Sequence, residues 1–556
     1  MNRLLLLAAL LVAPSLVDAQ SRVFTHADTL RGSVTPERAW WDVTFYDLHV
    51  QVLPADSSIR GTNAITYRVT GPAREMQLDL QVPLALDSVT QDGRRLATRR
   101  DGNAYFVTLP AAQPVGSTGI IEVGYHGRPP AARNAPWDGG FVWTRDSLGN
   151  VWIATAVQGL GASAWWPGKD SQADEPDSQR VAITVPAGML DVSNGRLRST
   201  TPNADGTTTY EWFVRNPINN YDVAANIGHY THIADIYQGE SGPLTLDYWP
   251  LAYHEEAARR QFAQVPTMLA CFEHWFGPYP WYEDGYKLVE TPHLGMEHQS
   301  AVAYGNHFRN GYLGRDLSGT GEGLSWDYII VHESAHEWWG NSLTTADIAD
   351  MWVHEAFAMY AENLFVECQA GPAAASRYVI GVRANIRNDE PIVGRYGVQN
   401  EGSGDMYFKG ANMLHTIRQL VHDDARWRGI LRGLQRAYRH RIVTGRQVED
   451  YISTQAGMDL SRVFAQYLTT TQVPVLEYAV AGGRMRYRWT NVIDGFDMPV
   501  RVMIRGDGPH LLHPTAAWSD EALPVLEAAD VSVDPDFYVL ARVVDRDGGA
   551  AHSGRR

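Results

Sequence analysis

Residues 331–340 read VHESAHEWWG, and they place two histidines four positions apart, with a glutamate directly after the first, in an otherwise apolar run. On an α-helix each residue turns about 100°, so His332 and His336 lie about 40° apart and Glu333 falls in the same arc. Two imidazoles and a carboxylate therefore look into one space. Divalent zinc takes neutral imidazole nitrogens, and a carboxylate beside it that does not coordinate can accept a proton from water. This is the H-E-x-x-H arrangement. The helix that carries it is expected to begin near Ser325 and to stop at Gly340.

A catalytic zinc uses three protein ligands and leaves a further position open, so a third ligand should follow on a neighbouring element. The stretch DIADMWVHEAFAMYAENLF supplies Glu355 in a second helical pattern, among the apolar Ala356, Phe357 and Met359. A charge in such surroundings costs several kcal/mol unless it is paired or bound to metal. His332, His336 and Glu355 are thus the expected ligands of one zinc ion per chain, with Glu333 as the general base. His354 points about 100° away from its neighbour Glu355 and is not expected to bind. His293 and His298 are set aside because three ligands already complete the set.

Around this centre, 556 residues with 44% hydrophobic and 11% aromatic content are too many for one ordinary domain. The net charge of -16 argues against a sequence-independent nucleic-acid binder, which needs a basic face. The first residues, MNRLLLLAALLVAPSLVDAQ, combine Arg3, an apolar run, Pro14 and small residues before Gln20. They predict a signal peptide over 1–19, and hence a secreted or periplasmic protein, soluble once the leader is removed. That run is about half the length a membrane span needs, and no later segment qualifies. Cys271 and Cys368 each sit in an apolar helical pattern, which favours inert buried thiols over a bridge and leaves their pairing open.

From Asp42 to Ile233 short alternating runs such as YDLHVQVL, NAITYRVT and GIIEVGYHG are separated by Gly, Pro, Asp and Asn clusters, which predicts an antiparallel β domain of sandwich or saddle type. Helical spacing takes over near Tyr253 and lasts to about Leu468. Alternation returns after Pro474 in PVLEYAV and RMRYRWT, joined by Gly482 and Gly483, which predicts a small β sandwich. The expected fold is a multidomain α+β chain. Its units are an N-terminal β domain (36–240), a mostly helical catalytic domain (241–472), a C-terminal β sandwich (473–545) and a tail (546–556).

HESAH followed by Glu355 resembles the gluzincin signature of the aminopeptidase N family of zinc metallopeptidases, which includes the leukotriene hydrolase-type enzymes. LGMEHQS at 294–300 is similar to the family's Gly-x-Met-Glu-Asn motif, with Leu294 and His298 departing from it. The resemblance implies substrate contacts from Gly295 and Met296, and binding of the substrate's α-amine by Glu297. GDMYFKGANML at 404–414 is similar to the Tyr-x-Lys-Gly-Ala stretch, so that Tyr407 would donate to the tetrahedral oxyanion. AVQGLGASAWWPG resembles the N-terminal segment that reaches the active site, with Gln158 helping to hold the amine.

What the resemblance implies is a thermolysin-like catalytic domain and hydrolysis of the first bond of peptides with a free amino terminus. An endopeptidase with the same metal centre would not need Glu297 or Gln158, and a non-catalytic scaffold would be expected to have lost ligands or base. Longer relatives add a large C-terminal helical domain that roofs the cavity. None is expected here, so a more open site is.

Overall fold

The computed structural model describes residues 23–525 and 527–545. The leader expected over 1–19 and the tail expected over 546–556 lie outside the described residues. In the N-terminal part, strands β1 (Trp41–Leu53) and β2 (Ser58–Val69) pair antiparallel at the middle of an eight-stranded sheet. Side chains along β1 alternate between core and surface, and the alternation slips by one between Val43 and Tyr46. The register against β2 shifts at Val43/Phe45, where an extra residue flips the following side chains to the other face.

The sheet departs from the antiparallel expectation at one pairing. β1 runs parallel to Ser178–Pro186, because the chain leaves β2, builds its other strands and returns on the free edge of β1. A three-stranded sheet (Glu75–Asp79, Ala104–Thr108, Ala97–Asp101) and a four-stranded sheet complete this part. The four-stranded sheet contains the hairpin of β3 (Gly140–Arg145) and β4 (Val151–Ala156), which leads directly into Gln158. These strands close over their own apolar core, which includes Trp41, Tyr46, Trp165 and Trp166.

The helical part holds α1 (Val265–Phe276), a short edge strand β5 (Gly295–Met296), α2 (Tyr328–Ala335), α3 (Trp352–Ala370), α4 (Pro372–Gly381) and α5 (Asp405–Val421). α1 ends at Gly277 with φ +99°, before Pro278, as the sequence predicts. Helix α2 is shorter than expected. Asp327 accepts hydrogen bonds from the amides of Ile329 and Ile330 and so fixes the first turn at Tyr328. After Ala335 the backbone tightens into turns, with Glu337 N donating to Ser334 O and Trp338 N to Ala335 O. α3 and α5 touch closely at Gly410, where a Cβ would lie 2.6 Å from the Cβ of Ala356.

Cys271 on α1 and Cys368 on α3 form a disulfide, where the sequence favours two separate thiols and leaves pairing open. Cys271 is buried and Cys368 lies in the exposed last turn of α3, and the packing of α1 against α3 brings their Cα atoms to 6.1 Å, within bridging reach. Sequence spacing carried no sign of this approach.

The C-terminal strands Val475–Ala481 and Arg484–Thr490 form the expected hairpin, with Gly482 and Gly483 at φ +59° and +76°. They belong to a four-stranded sheet with a three-stranded sheet beside it. Leu476, Tyr478, Met485 and Trp489 join the same apolar core as the helices, so this sheet is fastened to them through side chains and not only through the chain. Among the described residues no helix is long and apolar enough to cross a membrane.

Candidate metal centre and substrate cleft

His332 lies in the last turn of α2, and His336 caps the helix with helical backbone angles, so the four-residue spacing still puts both rings on one face. Their Nε2 atoms are 3.4 Å apart. Glu355, in the first turn of α3, brings Oε2 to 3.5 Å from each of them. All three residues are buried, and Glu355 Oε2 has no hydrogen-bond partner.

A carboxylate oxygen buried without a donor and aimed between two imidazole nitrogens is costly unless a cation sits there. The three ligand atoms lie within 4.8 Å of one another, and the set of two imidazoles and one carboxylate suits zinc. The residues therefore fit the metal that the sequence predicts. Glu297, Glu333 and His336 also fall within one 4.8 Å group, but Glu297 has donors of its own, described below.

The outer atoms of the ligands are held in turn. His332 Nδ1 pairs with Glu362 at 2.7 Å, and Glu362 also accepts from the Tyr378 hydroxyl at 2.5 Å. His336 Nδ1 pairs with the Trp339 carbonyl at 2.9 Å. Because a carboxylate and a carbonyl only accept, both Nδ1 atoms donate, which leaves Nε2 as the nitrogen that faces Glu355. His354 turns away as expected, its Nε2 taking the amide of Thr345 at 3.2 Å.

Electrostatics separate the carboxylates. Burial would lower both histidines, but the surrounding carboxylates outweigh it and raise His332 well above its usual value and His336 to about 9. Burial would raise Glu355, yet the two histidines hold it far below the usual carboxylate range. Glu333 behaves differently. Burial, joined by the negative charge of Glu297 and Glu355, pushes it up to about 7 against the pull of both histidines. A carboxyl poised near neutrality can take a proton and return it.

Gly295 allows Glu333 this place, since a Cβ there would stand 2.7 Å from Glu333 Oε1 and 2.9 Å from Ile329 Cγ2. Gly295 and Met296 form β5, at the edge of a five-stranded sheet beside the cleft. The next residue, Glu297, accepts from Gln158 Nε2 and from the Tyr221 hydroxyl, the latter at 3.1 Å. Gln158 Nε2 also lies 3.3 Å from Glu355 Oε1. Tyr407, in the first turn of α5, stacks near the ring of His332, with centroids 6.0 Å apart. Burial and the nearby Glu355 and Glu297 charges raise it well above the usual phenol value, so it remains a proton-bearing donor.

Every site residue expected from the sequence thus lines one cleft: His332, Glu333, His336, Glu355, Glu297, Gln158, Gly295, Met296 and Tyr407. Residues 261–467 match the family model described as the peptidase family M1 domain. This part of the chain is similar to the M1 peptidase domain.

The matched part holds the zinc-ligand candidates, Glu297 and Tyr407, whereas Gln158 and Tyr221 come from outside it. "Probable aminopeptidase 1" of Sulfurisphaera tokodaii is 22% identical over 389 residues, which is 66% of this chain and 48% of that protein. "Aminopeptidase B" of Mus musculus is 26% identical over 258 residues, 43% of this chain and 36% of that protein. The chain therefore spans about half or less of the length of these relatives. The crystal structure of an M1 zinc metallopeptidase from Deinococcus radiodurans superimposes with a TM-score of 0.68 at 22% identity, covering 80% of this chain and 98% of that one. The likeness of fold to that structure extends beyond residues 261–467.

Four contacts escaped the sequence reading. Glu362 and Glu355 stand about two turns apart on one face of α3, a spacing that a search for partners of the metal ligands could have used. Tyr378 on α4, Tyr221 in the N-terminal part and Asn341, whose Nδ2 donates to the Glu297 carbonyl at 2.8 Å, had no such signal.

Proposed function

We propose that this chain is a zinc-dependent aminopeptidase that hydrolyses the first peptide bond of peptides with a free amino terminus. His332, His336 and Glu355 would hold the zinc, which when bound supplies a Lewis acid for a water and for the scissile carbonyl. Glu333 removes a proton from the attacking water and delivers it to the departing amine as the C–N bond breaks. Tyr407 donates a hydrogen bond to the oxyanion that forms on the carbonyl carbon.

The observation that carries the exopeptidase reading is the placement of Glu297. It is buried beside the metal ligands, and its oxygen accepts from Gln158 and Tyr221, two neutral donors, so among the described residues no lysine or arginine compensates its charge. A substrate ammonium group supplies that compensation, whereas an acetylated terminus would leave the carboxylate unpaired. The aminopeptidase names of the matched relatives agree with this reading.

We read the chain as units 36–240, 241–472 and 473–545; the first division is supported by a separate core and the second by the return from helices to strands at Val475, across which the apolar core is continuous. Export to the periplasm or beyond the cell is supported by the Cys271–Cys368 bridge, since persistent disulfides belong to oxidising compartments. The deciding experiment compares one short peptide with a free and with an acetylated amino terminus, with and without a zinc chelator. Cleavage of the free form alone, stopped by the chelator, supports the aminopeptidase. Cleavage of both forms would replace it with an endopeptidase.

A further inference from the structure

Trp137 leaves 64% of its surface exposed at the rim of the cleft that contains Glu297 and Glu333. Exposure of one apolar side chain means little by itself. Position and bracing give it meaning here. The loop that carries Trp137 is closed by the Asp138 carboxylate, which accepts from the amides of Arg133 at 2.6 Å and Asn134 at 3.0 Å. Trp137 N donates to Asn134 O at 2.9 Å, and Gly139 N to Pro136 O at 3.1 Å. Gly139 turns the chain at φ +66°, where a Cβ would come within 2.8 Å of Leu160. The loop is therefore held by its own hydrogen bonds, and the indole is left free of that packing.

The register of β3 on β4 says which side of the cleft the indole borders. Gly140 pairs with Ala156, so Trp137 and Gln158 emerge at the same end of the hairpin. Gln158 bonds to Glu297, which places Trp137 on the side where the substrate amine is anchored. Pro136, Leu294 and Met296 line the same cleft with apolar surface. A side chain attached to the first Cα of the peptide has to lie within a few ångströms of that amine.

We infer that Trp137 is a specificity-determining residue: with Leu294 and Met296 it receives the side chain of the peptide's first residue and selects large apolar or aromatic ones. This rests on the aminopeptidase reading above. The indole offers a flat apolar face that a phenyl or isobutyl group covers and a methyl group does not.

The test measures kcat/KM on Phe-Ala, Leu-Ala and Ala-Ala dipeptides for the zinc-loaded parent, Trp137→Ala and Trp137→Phe. The parent is expected to favour Phe-Ala over Ala-Ala by about 10-fold or more. Trp137→Ala should cut that ratio about 10-fold, mainly through KM, and Trp137→Phe should restore most of it. An unchanged ratio in Trp137→Ala, or a parent that favours Ala-Ala, overturns the inference while leaving the aminopeptidase reading intact. A parent that cleaves none of the free dipeptides removes both.

Discussion

Glu362 pairs with His332 Nδ1 at 2.7 Å across the space between α3 and α2, and thereby fixes which nitrogen of His332 is left to face Glu355. Partners of this kind typically tune metal affinity by 10- to 100-fold. Glu362→Gln should weaken zinc binding by about that factor, read as competition with a chromogenic chelator. Tyr378→Phe, which removes one donor from Glu362, should weaken it less. Equal affinity in Glu362→Gln and the parent would show that packing alone orients the ring.

Glu333 is buried among charges of both signs and is pushed up to about 7. Glu333→Gln keeps the size of the side chain and removes the base. It should bind one zinc per chain and lose roughly 10²- to 10⁴-fold in kcat. Metal content and turnover on the same preparation check both halves, and a metal-replete variant that still turns over would end the general-base assignment.

Tyr407→Phe removes one hydroxyl and nothing else. If that hydroxyl meets charge only as it develops, kcat should fall by about 10²- to 10³-fold, about 3 to 4 kcal/mol in the barrier, while KM stays near the parent value. A change confined to KM would instead make Tyr407 a ground-state contact.

Acid should weaken the fold through two histidines beside Glu297. Burial lowers His293 to about 4 and His298 to about 3, so the folded state keeps both neutral. In an unfolded chain a histidine takes up its proton near ~6.5. The unfolded state therefore binds more protons below that pH, and stability, complete above it, declines as the pH falls toward the folded values. His298→Asn should remove about 2 kcal/mol of the loss between pH 6.5 and 5. Urea midpoints at both pH values, taken in excess chelator so that metal release does not enter, report it. An acid sensitivity equal to the parent's would rule out His298 as a contributor.

The metal centre was legible because helix geometry is local: four residues fix the relation of His332 to His336, and burial of a carboxylate among apolar neighbours marks Glu355. The strands were legible for the same reason, since alternation and turn residues lie within a few positions of each other. What the sequence did not carry are relations between distant segments. Tyr221 reaches Glu297, Cys271 reaches Cys368, and β1 meets Ser178–Pro186 in parallel only after the chain has closed on itself. The end of α2 was misjudged because Gly340 is a plausible stop, while hydrogen bonds at Ser334 and Ala335 tighten the turn earlier.

Helix α3 carries Glu355 near its start, Glu362 about two turns later and Cys368 close to its end. One rod thus supplies a metal donor, aims the ring of another donor and is bolted to α1. A partly unwound α3 would forfeit all three together, so the centre fails as a unit and not ligand by ligand.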